Sequence, residues 1–307
     1  MRAYETLTER GRLGRLRDLA LQASARYDLD VRRCVRSARS FNTIFRVDAA
    51  GGERFALRVG SHLRIHPEDT EDVETAWMAR LRRDGIVPVP FVVDTPKGSR
   101  FIDVEHPGVL ECRRCILFGW IAGRRVGERL DGSIARRLGE MSAILHDEPT
   151  IYVPSTRLDA AVADRVLYWT LGLLLDELAP TYGSLLTDAL DRAQEAVDRL
   201  WSRPLISGGR LEVIDFQDLF WGFEQQDLAI TTAWFRSSDE PAPLLAAFRE
   251  GYRTIRPWPE MSTEDLGALV AGRWLNQLNI GLHVRNPGLD EFVARGAVRL
   301  RAWMDAG

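Results

Sequence analysis

Apolar positions recur at helical spacing over residues 5–27, with Leu13, Leu16, Ala20 and Ala23 on one stripe. The pattern then changes. Residues 41–47 alternate and are β-branched, Gly51-Gly52 makes a turn, and Arg54–Val59 (RFALRV) alternates again, which predicts a hairpin. The helical period returns from Pro67 to Arg83. Glu68, Asp69, Glu71 and Asp72 crowd its start, where the helix dipole favours negative charge. Strands are predicted at Phe91–Asp94 and Arg100–Val104, around the Pro96-Lys97-Gly98 turn, and a buried strand at Cys115–Ile121. Beyond Gly123 the predicted elements are helices at 132–147, 157–178, 181–201, 224–236, 241–253, 262–282 and 288–305. One strand pattern interrupts them, Leu205–Ile206 and Leu211–Phe216 around Ser207-Gly208-Gly209. Strands first and helices later predict an α+β chain, with a β-rich domain over 1–121 and a helical one over 122–307.

Composition changes this picture little. The 307 residues are 45% hydrophobic and 28% charged, with a net charge of −3, so nothing points to nucleic acid or a membrane surface. The N-terminus is charged and amphipathic, and the longest apolar stretch, Val166–Leu175, is too short for a bilayer; a cytoplasmic protein is expected. Three cysteines, Cys34, Cys112 and Cys115, fit a reducing compartment. Cys112 and Cys115 form a lone C-x-x-C with no second cluster, which reads as a strand coincidence rather than a zinc site. The cations are skewed: Lys97 is the single lysine among 41 basic residues, so a buried phosphate-binding cation must be an arginine.

Four groups of residues could carry chemistry. Ile214-Asp215-Phe216 ends an apolar strand with a carboxylate, which suits Mg²⁺ held jointly with phosphate oxygens, or a plain turn cap. Arg58 lies on the strand Arg54–Val59, and Glu74 on the helix that follows; they read as an internal ion pair or as two surface charges. Ser40, Asn42 and Thr43 open the hairpin with small hydrogen-bonding side chains that could line a phosphate turn, although the segment lacks the glycines of a Walker loop. Phe118, Trp120 and Ile121 lie in an apolar run ending at Gly123, suited to a hinge around a purine ring or to plain core. On the late helix, Trp274 and Gln277 share a face that could line a polar pocket, with interior packing and exposed amides as the alternative.

Taken in order, these groups resemble the aminoglycoside phosphotransferase and choline kinase-like family, through Pro88-Val89-Pro90, Leu145-His146, Ile214-Asp215-Phe216 and Asp227-Leu228-Ala229. The resemblance runs from about residue 36 to 255. It implies a two-lobed protein-kinase-like fold and ATP- or GTP-dependent phosphorylation of a hydroxyl group on a small molecule. It places Arg58 on the nucleotide phosphates, Glu74 behind it and Asp215 on Mg²⁺. Asp227 and His146 are implied to be structural. Phe248-Arg249-Glu250-Gly251-Tyr252 resembles a segment of homoserine-type and stress-response kinases, on the substrate side.

The pattern breaks in one place. Such enzymes carry a loop like H-G-D-L-H-x-x-N shortly before I-D-F, whose Asp positions the substrate hydroxyl. Here no histidine falls between His146 and His283, and no asparagine between Asn42 and Asn276. The base is therefore expected in a segment missing between Pro204 and Leu205, and no residue of this sequence is assigned to it. Three readings fit the gap: a segment of the gene product that this sequence does not carry, a true deletion leaving a nucleotide-binding pseudokinase, and substitution by Asp198, which sits on a predicted helix like an ordinary solvated charge.

Overall fold

The first helix, α1, spans Glu9–Ala25, and Leu16, Ala20 and Ala23 of its predicted stripe are buried. Thr8 caps it by accepting a hydrogen bond from the Gly11 amide at 3.2 Å. The computed structural model describes residues 4–39, 41–68, 70–122, 130–147, 161–202, 212–214, 220–235, 238, 240–285 and 288–306. The chain divides into two compact units, Met1–Arg64 with Glu71–Gly123, and Ile65–Thr70 with Arg124–Gly307.

The first unit is built on five antiparallel strands in the order β1-β2-β3-β5-β4. They are β1 (Val31–Arg39), β2 (Thr43–Ala49), β3 (Arg54–Val59), β4 (Phe101–Val104) and β5 (Arg113–Gly119), with helix α2 (Thr70–Arg83) after β3. The hairpin and β4 fall where the pattern predicts them. Strand β1 has no counterpart in the predicted elements. Its register against β2 slips between Val31 and Arg33 and again between Arg36 and Ala38, so period-2 alternation never builds up. Its arginines suit an edge strand, where charge discourages pairing with another chain. Residues 91–94, predicted as a strand, form only a bridge from Val92 to Phe118.

The sheet has two unlike faces. Phe45, Val47, Leu57, Val59, Cys115 and Leu117 point to one side and pack with Leu16, Leu19, Ala20 and Ala23 of α1. Burial there pushes the Cys34 thiol up to about 11 and that of Cys115 up to about 12. All three cysteines are free, and no group of three metal-ligating side chains occurs among the described residues.

The second unit contains α3 (Gly132–Asp147), β6 (Ala161–Val162), α4 (Ala179–Tyr182), α5 (Leu185–Trp201), β7 (Glu212–Ile214), β8 (Phe220–Gly222), α6 (Glu224–Phe235), α7 (Pro241–Arg253), α8 (Thr263–Val284) and α9 (Leu289–Asp305). Strands β6, β8 and β7 form a small sheet in that order. Its main core joins Ala189, Ala193 and Val197 of α5 to Leu266, Val270, Leu275 and Leu278 of α8. No helix among the described residues is long and apolar enough to cross a membrane.

The helix predicted at 157–178 is not formed over its described part. The chain there is β6, an irregular stretch with bends and a 3-10 turn at Leu175–Leu178. Side chains from neighbouring helices satisfy its backbone instead. Gln194 accepts from the Val166 amide at 2.9 Å, Gln226 and Trp201 both donate to the Ala163 carbonyl, and Asn279 accepts from Leu174 N–H while donating to Gly172 C=O. Those partners come from α5, α6 and α8, so the local apolar period could not report them. The same contacts revise the reading of α8. Asn279 and Asn276 are the buried amides, whereas Gln277 is exposed and Trp274 packs against the core with Arg299 over its ring.

Candidate functional site

Two positions paired across antiparallel strands share a sheet face, as do residues two apart on one strand. Arg58 on β3 pairs with Ile116 on β5, and Ile116 lies two residues from both Arg114 and Phe118. Arg58, Arg114 and Phe118 therefore share the face opposite α1. Arg58 is 9% exposed and Glu74 3% exposed. The Arg58 guanidinium donates through Nη1 to Glu74 Oε1 at 2.7 Å and through Nη2 to Oε2 at 2.5 Å, a two-pronged contact with the helix carboxylate. Its Cζ lies 5.3 Å from the centroid of the Phe118 ring. A buried charge requires a partner of this quality, because desolvation alone would make either group very costly. The planar fork of arginine suits two simultaneous contacts with a carboxylate, a geometry that a lysine could not make.

The other predicted residues of this unit fall around that pair. Thr43 is buried at the start of β2 and pairs with Val59. Asn42 Oδ1 accepts from the Ser61 amide at 2.9 Å, tying the start of β2 to the end of β3. Ser40 lies outside the described residues. Trp120 follows β5, donates its amide to the Arg54 carbonyl at 3.1 Å, and has Arg46 over its ring at 5.9 Å. Ile121 is 60% exposed. The amides of Gly119 and Trp120 are both used within the unit, on the carbonyls of Phe91 and Arg54.

In the second unit, His146 at the end of α3 lies between Asp227 on α6 and Tyr252 on α7. Its Nε2 is 3.1 Å from Asp227 Oδ2, and its Nδ1 is 3.0 Å from the Tyr252 hydroxyl. A neutral ring with the proton on Nε2 satisfies both: Nε2–H donates to the carboxylate and the tyrosine O–H donates to Nδ1. Arg256 extends the network, donating to the His146 carbonyl and pairing with Glu224 at 2.8 Å. The histidine is 4% exposed, so this is a brace among three helices. Tyr252→Phe removes a donor from a buried ring nitrogen and is expected to cost about 1–3 kcal/mol. A thermal melt of the variant should show a lowered midpoint with no other change.

Phe248 and Tyr252 of the FREGY segment also belong to the core, packing with Ala135 and Ala143 of α3. Asp198 is exposed on α5 and accepts from Gln194 Nε2 at 2.8 Å, as a solvated helix charge would. The Pro204–Leu205 junction and Asp215 lie outside the described residues.

The five-stranded sheet, the helix after β3 and the helical second unit define an α+β fold of the protein-kinase-like kind. A family model described as APH, phosphotransferase enzyme family, matches residues 33–206, more than half of the chain, and the chain belongs to that family. A microcompartment-associated aminopropanol kinase superposes with a TM-score of 0.67 at 21% identity, over 93% of this chain and 94% of that one. The amicoumacin kinase hAmiN, solved with AMP-PNP, Ca²⁺ and Ami, superposes with a TM-score of 0.66 at 14% identity, over 97% and 96%. Spectinomycin phosphotransferase APH(9)-Ia, solved with ADP and its antibiotic, gives 0.53 at 11% identity, over 93% and 94%. No curated protein sequence matches the chain.

Proposed function

We propose that this chain transfers the γ-phosphoryl group of ATP or GTP to a hydroxyl group of a small molecule, in the cytoplasm. The observation that carries the proposal is the buried Arg58–Glu74 fork on the polar face of the sheet. Such a cation, fixed before ligand arrives, can neutralise phosphate charge without reorganising. Family membership and the small-molecule kinases among the structural relatives support the same reading. The unit carrying Arg58 would hold the nucleotide, with Ser40, Asn42 and Thr43 near the phosphates and Phe118, Trp120 and Ile121 near the base. The helical unit would hold the acceptor. These roles correspond to an N-lobe over 1–121 and a C-lobe over 122–307.

Asp215, the carboxylate of Ile214-Asp215-Phe216, would supply the single carboxylate that Mg²⁺ needs when phosphate oxygens complete its shell. A cation bound there would supply charge neutralisation on the transferring phosphoryl group. In the transfer, the bond from the γ-phosphorus to its bridging oxygen breaks, a bond to the acceptor oxygen forms, the hydroxyl proton passes to solvent water and a nucleoside diphosphate is released. Asp198 is not assigned to take that proton, because its side chain is an exposed helix charge.

The test is phosphoryl transfer by the full chain with MgATP or MgGTP, across a panel of amino alcohols, sugars and hydroxylated antibiotics, read by ³¹P NMR. Formation of a phosphorylated product and a loss of MgATP affinity in Asp215→Ala are expected. Absence of nucleotide binding would overturn the proposal. Binding with no transfer to any acceptor would overturn its catalytic half.

A further inference from the structure

The Arg58–Glu74 contact is only as well placed as the helix that carries Glu74. Helix α2 makes a second ionic contact with the same sheet face. Glu71 and Glu74 are three residues apart and therefore project from one side of the helix. Glu74 meets Arg58; Glu71 Oε2 accepts from Arg114 Nη1 at 3.1 Å. Arg114 lies on β5, diagonal to Arg58 across the sheet.

Arg114 is itself fixed from three directions. Its Nε and Nη2 donate to the two oxygens of Asp103 at 3.0 and 3.1 Å, and Asp103 is its direct partner across β4 and β5. Its Cζ stands 4.4 Å from the Phe101 ring centroid. The Arg114 side chain is 11% exposed and that of Glu71 26%, while Asp103 at 40% lies at the solvent rim of the cluster. The hydrogen bonds from Arg114 hold the Asp103 carboxyl below its usual range. Glu71 is also where the chain rejoins the first unit after Ile65–Thr70, so this contact anchors α2 at its first turn.

We propose that Arg114 is a positioning residue for the nucleotide site: by holding Glu71 it sets the place of α2, and so the place at which Glu74 fixes Arg58. The proposal rests on the reading of Arg58 as the phosphate-binding cation. Nothing in the predicted motifs marks Arg114, because its role depends on the register of β4 against β5 and on the helix packed above.

The test uses the full chain and a fluorescent ATP analogue, with Arg58→Met, Arg114→Met, Arg114→Lys, Glu71→Gln and the Arg58→Met/Arg114→Met double variant. Arg114→Met and Glu71→Gln should each weaken analogue binding about tenfold. Arg114→Lys should recover part of the loss, since an ammonium keeps one contact but not the fork. Adding Arg114→Met to Arg58→Met should cause no further loss, because Arg114 acts through Arg58. Hydrogen exchange over 70–83 should speed up in Arg114→Met. Equal losses from Arg114→Met with and without Arg58 would overturn the proposal and leave the nucleotide reading standing. Unchanged exchange over 70–83 would do the same. Unchanged binding in Arg58→Met would overturn both. If Arg114→Met does not fold, Glu71→Gln and Arg114→Lys carry the same comparisons.

Discussion

Arg58→Met is expected to abolish tight nucleotide binding and also to destabilise the protein. The two effects separate. Removing the guanidinium leaves the Glu74 carboxylate buried at 3% exposure with its forked partner gone. Breaking a buried pair from one side costs about 3–5 kcal/mol, mostly the desolvation of the remaining charge. Replacing both partners, as Arg58→Met/Glu74→Leu, should restore much of that stability, because apolar side chains of similar volume meet no such penalty. Nucleotide affinity should not return with it. A charge-assisted contact to phosphate contributes about 1.5–3 kcal/mol, so both variants should bind roughly 10- to 150-fold more weakly. Thermal melts and calorimetric titration with MgATP together decide the matter. A double variant that melts like the single one, or a single variant that binds nucleotide normally, would contradict the assignment.

The second large effect is expected from Gly139→Ala or Gly251→Ala, at the crossing of α3 and α7. A methyl group on Gly139 would stand 2.0 Å from the Phe248 carbonyl oxygen, and one on Gly251 would stand 1.9 Å from that of Arg136. Both obstacles are backbone atoms, which cannot rotate away. The helices would have to separate by about an ångström or more, loosening Phe248, Tyr252, Ala135 and Ala143 around them. Alanine favours a helix over glycine by about 1 kcal/mol, which sets the opposing term. Overpacking against backbone is larger, at the upper end of about 1–3 kcal/mol or beyond it, so a net loss of about 2 kcal/mol or more is expected. Gly14 on α1 is the control, since a methyl group there meets nothing within 4 Å. Gly14→Ala should raise the melting midpoint slightly while the other two lower it by many degrees. A neutral Gly139→Ala would show that the two helices have room to move.

Both predictions show where a linear reading is informative. Arg58 and Glu74 were legible because a hairpin and the following amphipathic helix are local patterns, and the low lysine content left an arginine for the role. Their alternative as surface charges is excluded by burial, which the sequence does not encode residue by residue. Nothing in the sequence links Gly139 to Gly251, since 112 positions separate two glycines whose relation is a helix crossing. The FREGY segment resembles one in homoserine-type and stress-response kinases, yet its Phe248, Gly251 and Tyr252 are buried in the core.

The sequence by itself determined the α+β order, most of the helices, the family and the candidate pair Arg58 and Glu74. Each of these rests on periodicity or on residues close along the chain. Tertiary structure decided the rest. It placed the bulged strand Val31–Arg39, whose register slips hide its alternation. It kept Ala161–Leu174 out of the predicted helix by offering side-chain partners from α5, α6 and α8. It brought Arg114 to Glu71, so that α2 makes an ionic contact with the sheet at Glu71 as well as at Glu74. The first case is a local pairing hidden by irregular register; in the other two the deciding interaction joins residues far apart in sequence, and its energy depends on burial and geometry that exist only once the chain is folded.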